Sequence, residues 1–190
     1  MSASDAERNA AAQLPDGDVV AILLEQHARI RDLFAQISST GHEARKRAFD
    51  ELRALLAVHE AAEELVVRPV AKKTAGPQEA DARNAEEREA SKILKQLEGM
   101  DLSTPEFESA LADFERAVSE HAEHEERDEF PALLAQCTQE QRISMGERLR
   151  KAERMAPTHP HPTATGKPAA LRLTGPFAAM MDKARDALGR

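Results

Sequence analysis

The chain has 190 residues, 41% of them hydrophobic, which is enough for one domain with a substantial core and too little to favour two large ones. Aromatics make up 3%, with no Trp or Tyr, and the formal net charge is −8, which argues against nucleic acid or an anionic membrane surface as a partner. The single cysteine, Cys137, can form no internal disulfide, there is no basic-then-apolar leader, and no run of about 18 apolar residues exists, so the expected location is cytoplasmic.

Residues 1–17 are small and polar, contain Pro15 and Gly17 near their end, and are expected to form a flexible lead-in. Asp16 or Asp18 can cap the helix that follows. From Val19 to about Ser38 the series Val20, Leu23, His27, Ile30, Phe34, Ile37 repeats at steps of three and four, which predicts an amphipathic helix with His27 inside its apolar seam. Gly41 interrupts the pattern. A second helix, about Glu43 to Arg68, carries Phe49, Leu52, Leu56, His59, Glu63 and Val66 at the same spacing and is limited by Pro69.

The segment PVAKKTAGPQ, residues 69–78, reads as a connector with helix breakers at both ends. A third helix, about Glu79 to Leu97, places Glu87, Ala90, Leu94 and Leu97 on one side. Thr104 and Pro105 supply the cap and first turn of a fourth, whose seam runs Phe107, Leu111, Phe114, Val118, His121, Glu125 and on towards Asp128, ending at Pro131. A further helix, about Gln139 to Met155, offers Met145 and Leu149 for docking.

Residues 157–190 are expected to be a Pro-rich arm ending in a short helix, about Pro176 to Leu188. Residues 151–190 hold seven basic and three acidic side chains, a net +4, which leaves −12 on the remainder. Such an arm can wrap its own acidic bundle or a neighbour's, giving a monomer or a dimer.

The predicted fold is all-α: an antiparallel up-down-up-down four-helix bundle over residues 18–136, an additional helix over 137–156, and the C-terminal extension. Six seam positions in that bundle are ionisable: His27, His59, Glu63, Glu87, His121 and Glu125. A soluble bundle rarely turns so many such groups inward unless something there binds them. Imidazole and carboxylate donors without cysteine suit iron or manganese, and also zinc. Three carboxylates offset much of the charge of two divalent ions, and six ligands on four helices match a pair of metals better than one. Glu60, Glu64, Glu86, His124 and Glu126 have suitable chemistry but lie off the seam, and are expected to support the ligands from outside. His42, His159 and His161 fall in loop-like sequence away from the bundle site.

These positions resemble the hemerythrin-like, HHE cation-binding family. Its opening helix carries a histidine in a context similar to LLEQHARIRDLF, which singles out His27. Its second-helix pattern resembles VHEAAEELVVRP, matching His59 and Glu63, and its fourth-helix pattern resembles HAEHEERDEFPAL, matching His121 and Glu125. Relatives place a histidine early in the third helix, where this chain reads AEEREASKIL and aligns Glu87; Glu86 in its stead, or a site filled by one metal, are the alternatives. The resemblance spans residues 18–136 and implies a non-haem di-iron centre bridged by carboxylate and an oxo or hydroxo species. The implied partners are dioxygen, peroxide or nitric oxide. It further implies that His27, His59 and His121 are terminal ligands and that Glu63 and Glu125 are bridges, inside a sleeve of Leu23, Ile30, Leu56 and Val118. A metal-dependent structural or iron- and redox-sensing module without turnover is the alternative function, and a metal-free bundle with an internal polar network is a third reading.

Overall fold

A computed structural model describes residues 2–154, all of whose regular structure is helical. The elements are α1 (Ala3–Ala11), α2 (Val19–Ser39), α3 (His42–Val66), α4 (Arg68–Thr74), α5 (Pro77–Leu97), α6 (Pro105–His124), a π-helical turn (Glu125–Glu129), α7 (Phe130–Gln136) and α8 (Gln139–Glu153). The arm expected at 157–190, with His159, His161 and the terminal helix, lies outside the described residues. No described helix is long and apolar enough to cross a membrane.

Helices α2, α3, α5 and α6 form the four-helix bundle, and side-chain contacts fix their antiparallel sense. Arg45, early in α3, donates to the Ile37 carbonyl late in α2. Arg53 of α3 pairs with Glu98 at the far end of α5, whereas Ser91, earlier in α5, meets Glu60, later in α3. Phe34 of α2 meets Phe114 of α6 edge to face at 5.6 Å. Thr104 caps α6 as its sequence predicts, accepting from the Phe107 amide.

Two apolar clusters fill the interior, one on each side of a polar layer. Ile30, Leu33, Phe34, Leu52, Leu56 and the inward faces of α5 and α6 make the first. Leu23, Leu24, Ala62, Val66, Phe130 and the docking face of α8, through Met145 and Leu149, make the second. The same two helices, α2 and α3, supply both clusters, so His27 and His59 lie at the level where one gives way to the other.

Three expectations need correction. Residues 1–17 do not form a wholly flexible lead-in, because α1 covers much of them. Ser2 and Asp5 make a capping box, alanine has the highest helix propensity, and the buried Glu7 pairs with Arg31 while Arg8 pairs with Asp32. The connector at 69–78 is helical as far as Thr74: Pro69 stands in the first turn of α4, where its missing N–H costs nothing, and Ala71 packs inside. Nor does the fourth helix end at Pro131, since the chain widens into a π turn, with Phe130 N–H bonded to the Glu125 carbonyl, and continues to Gln136.

Helix α8 is locked to the bundle through Asp18, which is fully buried. One carboxylate oxygen of Asp18 caps α2 at the Val20 amide, and the other accepts from Arg142 Nε at 2.7 Å. Arg142 also donates to the Cys137 carbonyl at 2.8 Å. Beside this lock the backbone of Gly17, at φ +80°, lies directly on Gly146 of α8, and a Cβ added there would overlap the Gly17 carbonyl oxygen. Gly146→Ala should therefore destabilise the protein by about 1–3 kcal/mol, the usual cost of overpacking, read as a lower midpoint in urea denaturation. An unchanged midpoint would show that α8 is not held at this distance.

Candidate metal centre

All six seam residues reach one interior region. His27 is 2% exposed, His59 3%, Glu63 0%, Glu87 1%, His121 9% and Glu125 0%, burial that charged or polar side chains sustain only with partners. The rings of His27 and His59 sit 5.2 Å apart, and His27 stacks on Phe130 at 5.6 Å. Glu125 joins the histidines: its Oε2 lies 3.4 Å from His27 Nε2 and its Oε1 lies 3.3 Å from His121 Nε2. Glu63 Oε2 is 3.4 Å from His59 Nε2.

Each imidazole is held from behind. His27 Nδ1 meets Glu126 at 2.8 Å, His59 Nδ1 meets the Gln26 side-chain oxygen at 2.6 Å, and His121 Nδ1 meets Glu86 at 3.0 Å. Fixing Nδ1 turns each Nε2 inward, the arrangement that orients histidine towards a metal. The inward atoms His27 Nε2, His121 Nε2, Glu87 Oε2, Glu125 Oε2 and both Glu63 oxygens have no hydrogen-bond partner. Buried polar atoms are rarely left so, and a set of them converging on one point fits a cation.

The donor atoms fall into two compact groups, His27–His59–Glu125 and Glu63–Glu87–His121–Glu125, each with its ligand atoms within 4.8 Å of one another. Glu125 belongs to both. A further group, Glu7–His27–Glu126, lies behind the first on the α1 side.

Electrostatics show the strain of gathering these charges. Burial pushes the Glu63 carboxyl well up, and neighbouring Glu125 adds to the effect. Burial would lower His121, but Glu125 beside it holds its ring well above the ordinary imidazole range and is itself held well below the carboxylate range. His59 is pushed down to about 3 by burial and by His27, so its ring is neutral, the form that binds metal.

The groups expected to support from outside divide. Glu86 and Glu126 hold the histidines as described, and His124 shares Glu86 at 2.9 Å. Glu64 is buried on α3 without joining either donor group. Glu60 is more central than its off-seam position implied. It accepts from Ser91 Oγ at 2.9 Å, and burial and Glu87 push it up to about 8. Glu60 also lines a cavity of about 20 Å³ together with His27, His59, Glu87 and His121 on the polar side. Ile30, Leu56, Ala90 and Val118 form its apolar wall. Leu23, expected in that sleeve, is buried in the other apolar cluster instead. His42 is exposed at the start of α3 and has no part in the centre.

Three participants were not visible in the seam pattern. Arg68, 3% exposed, donates through Nη1 to Glu129 at 2.6 Å and through Nη2 to Glu87 and, at 3.1 Å, to Glu125. Glu129, four residues beyond Glu125 on the same face, is fully buried, whereas Asp128 is only half-buried. Gln26 precedes His27 and so falls off the seam. The one available signal was the arginine itself, the last residue before Pro69 at the end of an acidic seam.

Residues 18–133 match the family model described as the hemerythrin HHE cation binding domain. The chain is 26% identical over 168 residues to an uncharacterized hemerythrin-like protein of Schizosaccharomyces pombe, an alignment covering 86% of this chain and 83% of that protein. It is also similar to the crystal structure of a hemerythrin HHE cation binding domain-containing protein from Mycobacterium kansasii. That match has a TM-score of 0.63 and 27% identity, and covers 85% of this chain and 96% of the other. With four helices converging on paired histidine and glutamate clusters, and with more than half its length matched, this chain belongs to the hemerythrin HHE cation-binding family and is a metal-binding protein of hemerythrin-like fold.

Proposed function

We propose that the buried centre takes up iron as a pair of ions and that the loaded protein binds or reacts with dioxygen, peroxide or nitric oxide. The observation that carries this reading is Glu125, whose two oxygens face two different histidines and which therefore serves both donor groups. On this reading His27, His59 and Glu125 hold one ion, and Glu63, Glu87, His121 and Glu125 hold the other. The mixed nitrogen and oxygen donor set suits iron, with manganese or zinc as the other candidates. Bound iron would supply redox chemistry that no side chain in the centre offers.

The protein's own contribution is positioning and exclusion. Glu126, Gln26 and Glu86 fix the three rings, so the donors need little rearrangement on loading. The cavity, at about 20 Å³, has room for about one water-sized molecule. That favours a diatomic ligand or peroxide and excludes bulky organic substrates. Its apolar wall limits water beside the donors.

Anaerobic loading with ferrous iron followed by dioxygen or peroxide tests the proposal. Charge-transfer absorption should appear in the oxidised protein, and peroxide should decay in proportion to loaded protein. Glu125→Ala should abolish both. Silence in both assays, together with metal-dependent resistance to protease, would replace this reading by a structural or sensing module. Support of the donors is tested separately: Glu86→Ala should weaken metal binding by about 10–100-fold in competition with a chelator, whereas His42→Ala should leave it unchanged. Equal affinity in the two variants would remove Glu86 from the site.

A further inference from the structure

Arg68 has no place in either donor group, yet its guanidinium stands among the atoms of the second. Nη2 contacts Glu87 Oε1, lies 3.1 Å from Glu125 Oε1 and 3.9 Å from Glu63 Oε2. These three carboxylates are the ones that would surround a cation together with His121. An ion at the usual distance of about 2.0–2.2 Å from such oxygens would compete with Nη2 for the same space, and two positive charges that close repel strongly in a buried site.

The first group is different. His27 faces Glu125 Oε2, whereas Arg68 and His121 both face Oε1. Arg68 makes no hydrogen bond to Oε2, which is buried and without a hydrogen-bond partner. Glu129 completes the asymmetry. It lies outside every donor group, is fully buried, and holds Arg68 Nη1 at 2.6 Å, so it anchors the guanidinium rather than a ligand.

Resting on the two-ion reading above, we propose that Arg68 holds the place of the second cation. The His27–His59–Glu125 position then fills first, and the Glu63–Glu87–His121–Glu125 position fills only as the guanidinium withdraws. Arg68 is thus a positioning residue that sets metal stoichiometry and holds the acidic centre together before loading. Its partners are the carboxylates it releases to the ion.

The test is an anaerobic titration of the chelator-treated full chain with cobalt(II), using wild type, Arg68→Met and Arg68→Lys, with cobalt per chain measured after gel filtration. Wild type should retain one cobalt tightly and bind a second at least about tenfold more weakly, the effect expected of a nearby like charge. In Arg68→Met the second affinity should rise by about the same factor, bringing stoichiometry to two, while Arg68→Lys should keep the wild-type inequality. The metal-free Met variant should melt below wild type and gain more on loading, because its carboxylates have lost their internal cation. A purely structural role would lower the melting temperature without moving the ratio of affinities. If Arg68→Met does not fold without metal, the two-step uptake of wild type and its persistence in Arg68→Lys still decide. Two equal sites in wild type, or an unchanged second affinity in Arg68→Met, would overturn the ordering alone; wild type that takes up no cobalt would overturn the two-ion reading as well.

Discussion

Four carboxylates, those of Glu63, Glu87, Glu125 and Glu129, are buried around one guanidinium, that of Arg68. Removing an ion from water costs several kcal/mol even after relaxation, and one cation cannot balance four anions. That excess, with burial, pushes several of these groups towards their protonated forms: Glu63 is pushed up, Glu129 is pushed up to about 7 chiefly by burial, and His27 and His121 are raised by the neighbouring carboxylates against the opposing effect of burial. A centre that recruits protons in this way is also a centre that exchanges them for metal, since the same lone pairs serve both.

The bundle can carry such a layer because it is sandwiched. Long helices α2 and α3 place one apolar cluster on each side of it, and the edge-to-face pairs Phe34–Phe114 and Phe49–Phe107 stiffen the more distant side. On the other side α1 and α8 cover the bundle end, α8 through the Asp18–Arg142 lock and the close approach at Gly146. The π turn lies between the two inward carboxylates Glu125 and Glu129, and its wider bonding, with Phe130 N–H reaching the Glu125 carbonyl, lets the chain pass Pro131, which has no N–H to give one turn back.

The bundle was legible because its apolar residues repeat every three or four positions, and the same periodicity marked the inward direction of His27, His59, Glu63, Glu87, His121 and Glu125. What escaped it was whatever does not obey the period. Residues 3–11 carry too few large apolar side chains to show a seam, although Ser2, Asp5 and the alanines contain a helix start. Glu129 keeps the four-residue step from Glu125, but Asp128 fits the three-residue step equally well, and the sequence alone does not choose between them. Arg68, Gln26 and Glu60 are polar residues one step off a seam or just beyond its end, where a surface reading and an interior one look alike in one dimension. Long side chains blur the difference further, because an arginine at a helix junction can reach the centre from outside the bundle's apolar stripe.

Glu87 and Arg68 become intelligible together. At position 87 the resemblance to the family leads one to expect a histidine, a ligand that is neutral when it binds metal, and glutamate adds a negative charge to a layer already rich in them. Arg68, whose Nη2 takes Glu87 as its nearest partner, adds one positive charge that offsets the one Glu87 brings. The pair is neutral as a unit, so the bundle can close over it, but it delivers that neutrality as a guanidinium planted among prospective ligands rather than as an open imidazole nitrogen. Glu87 is thus tied to a fixed cation that stands among the carboxylates of the second donor group.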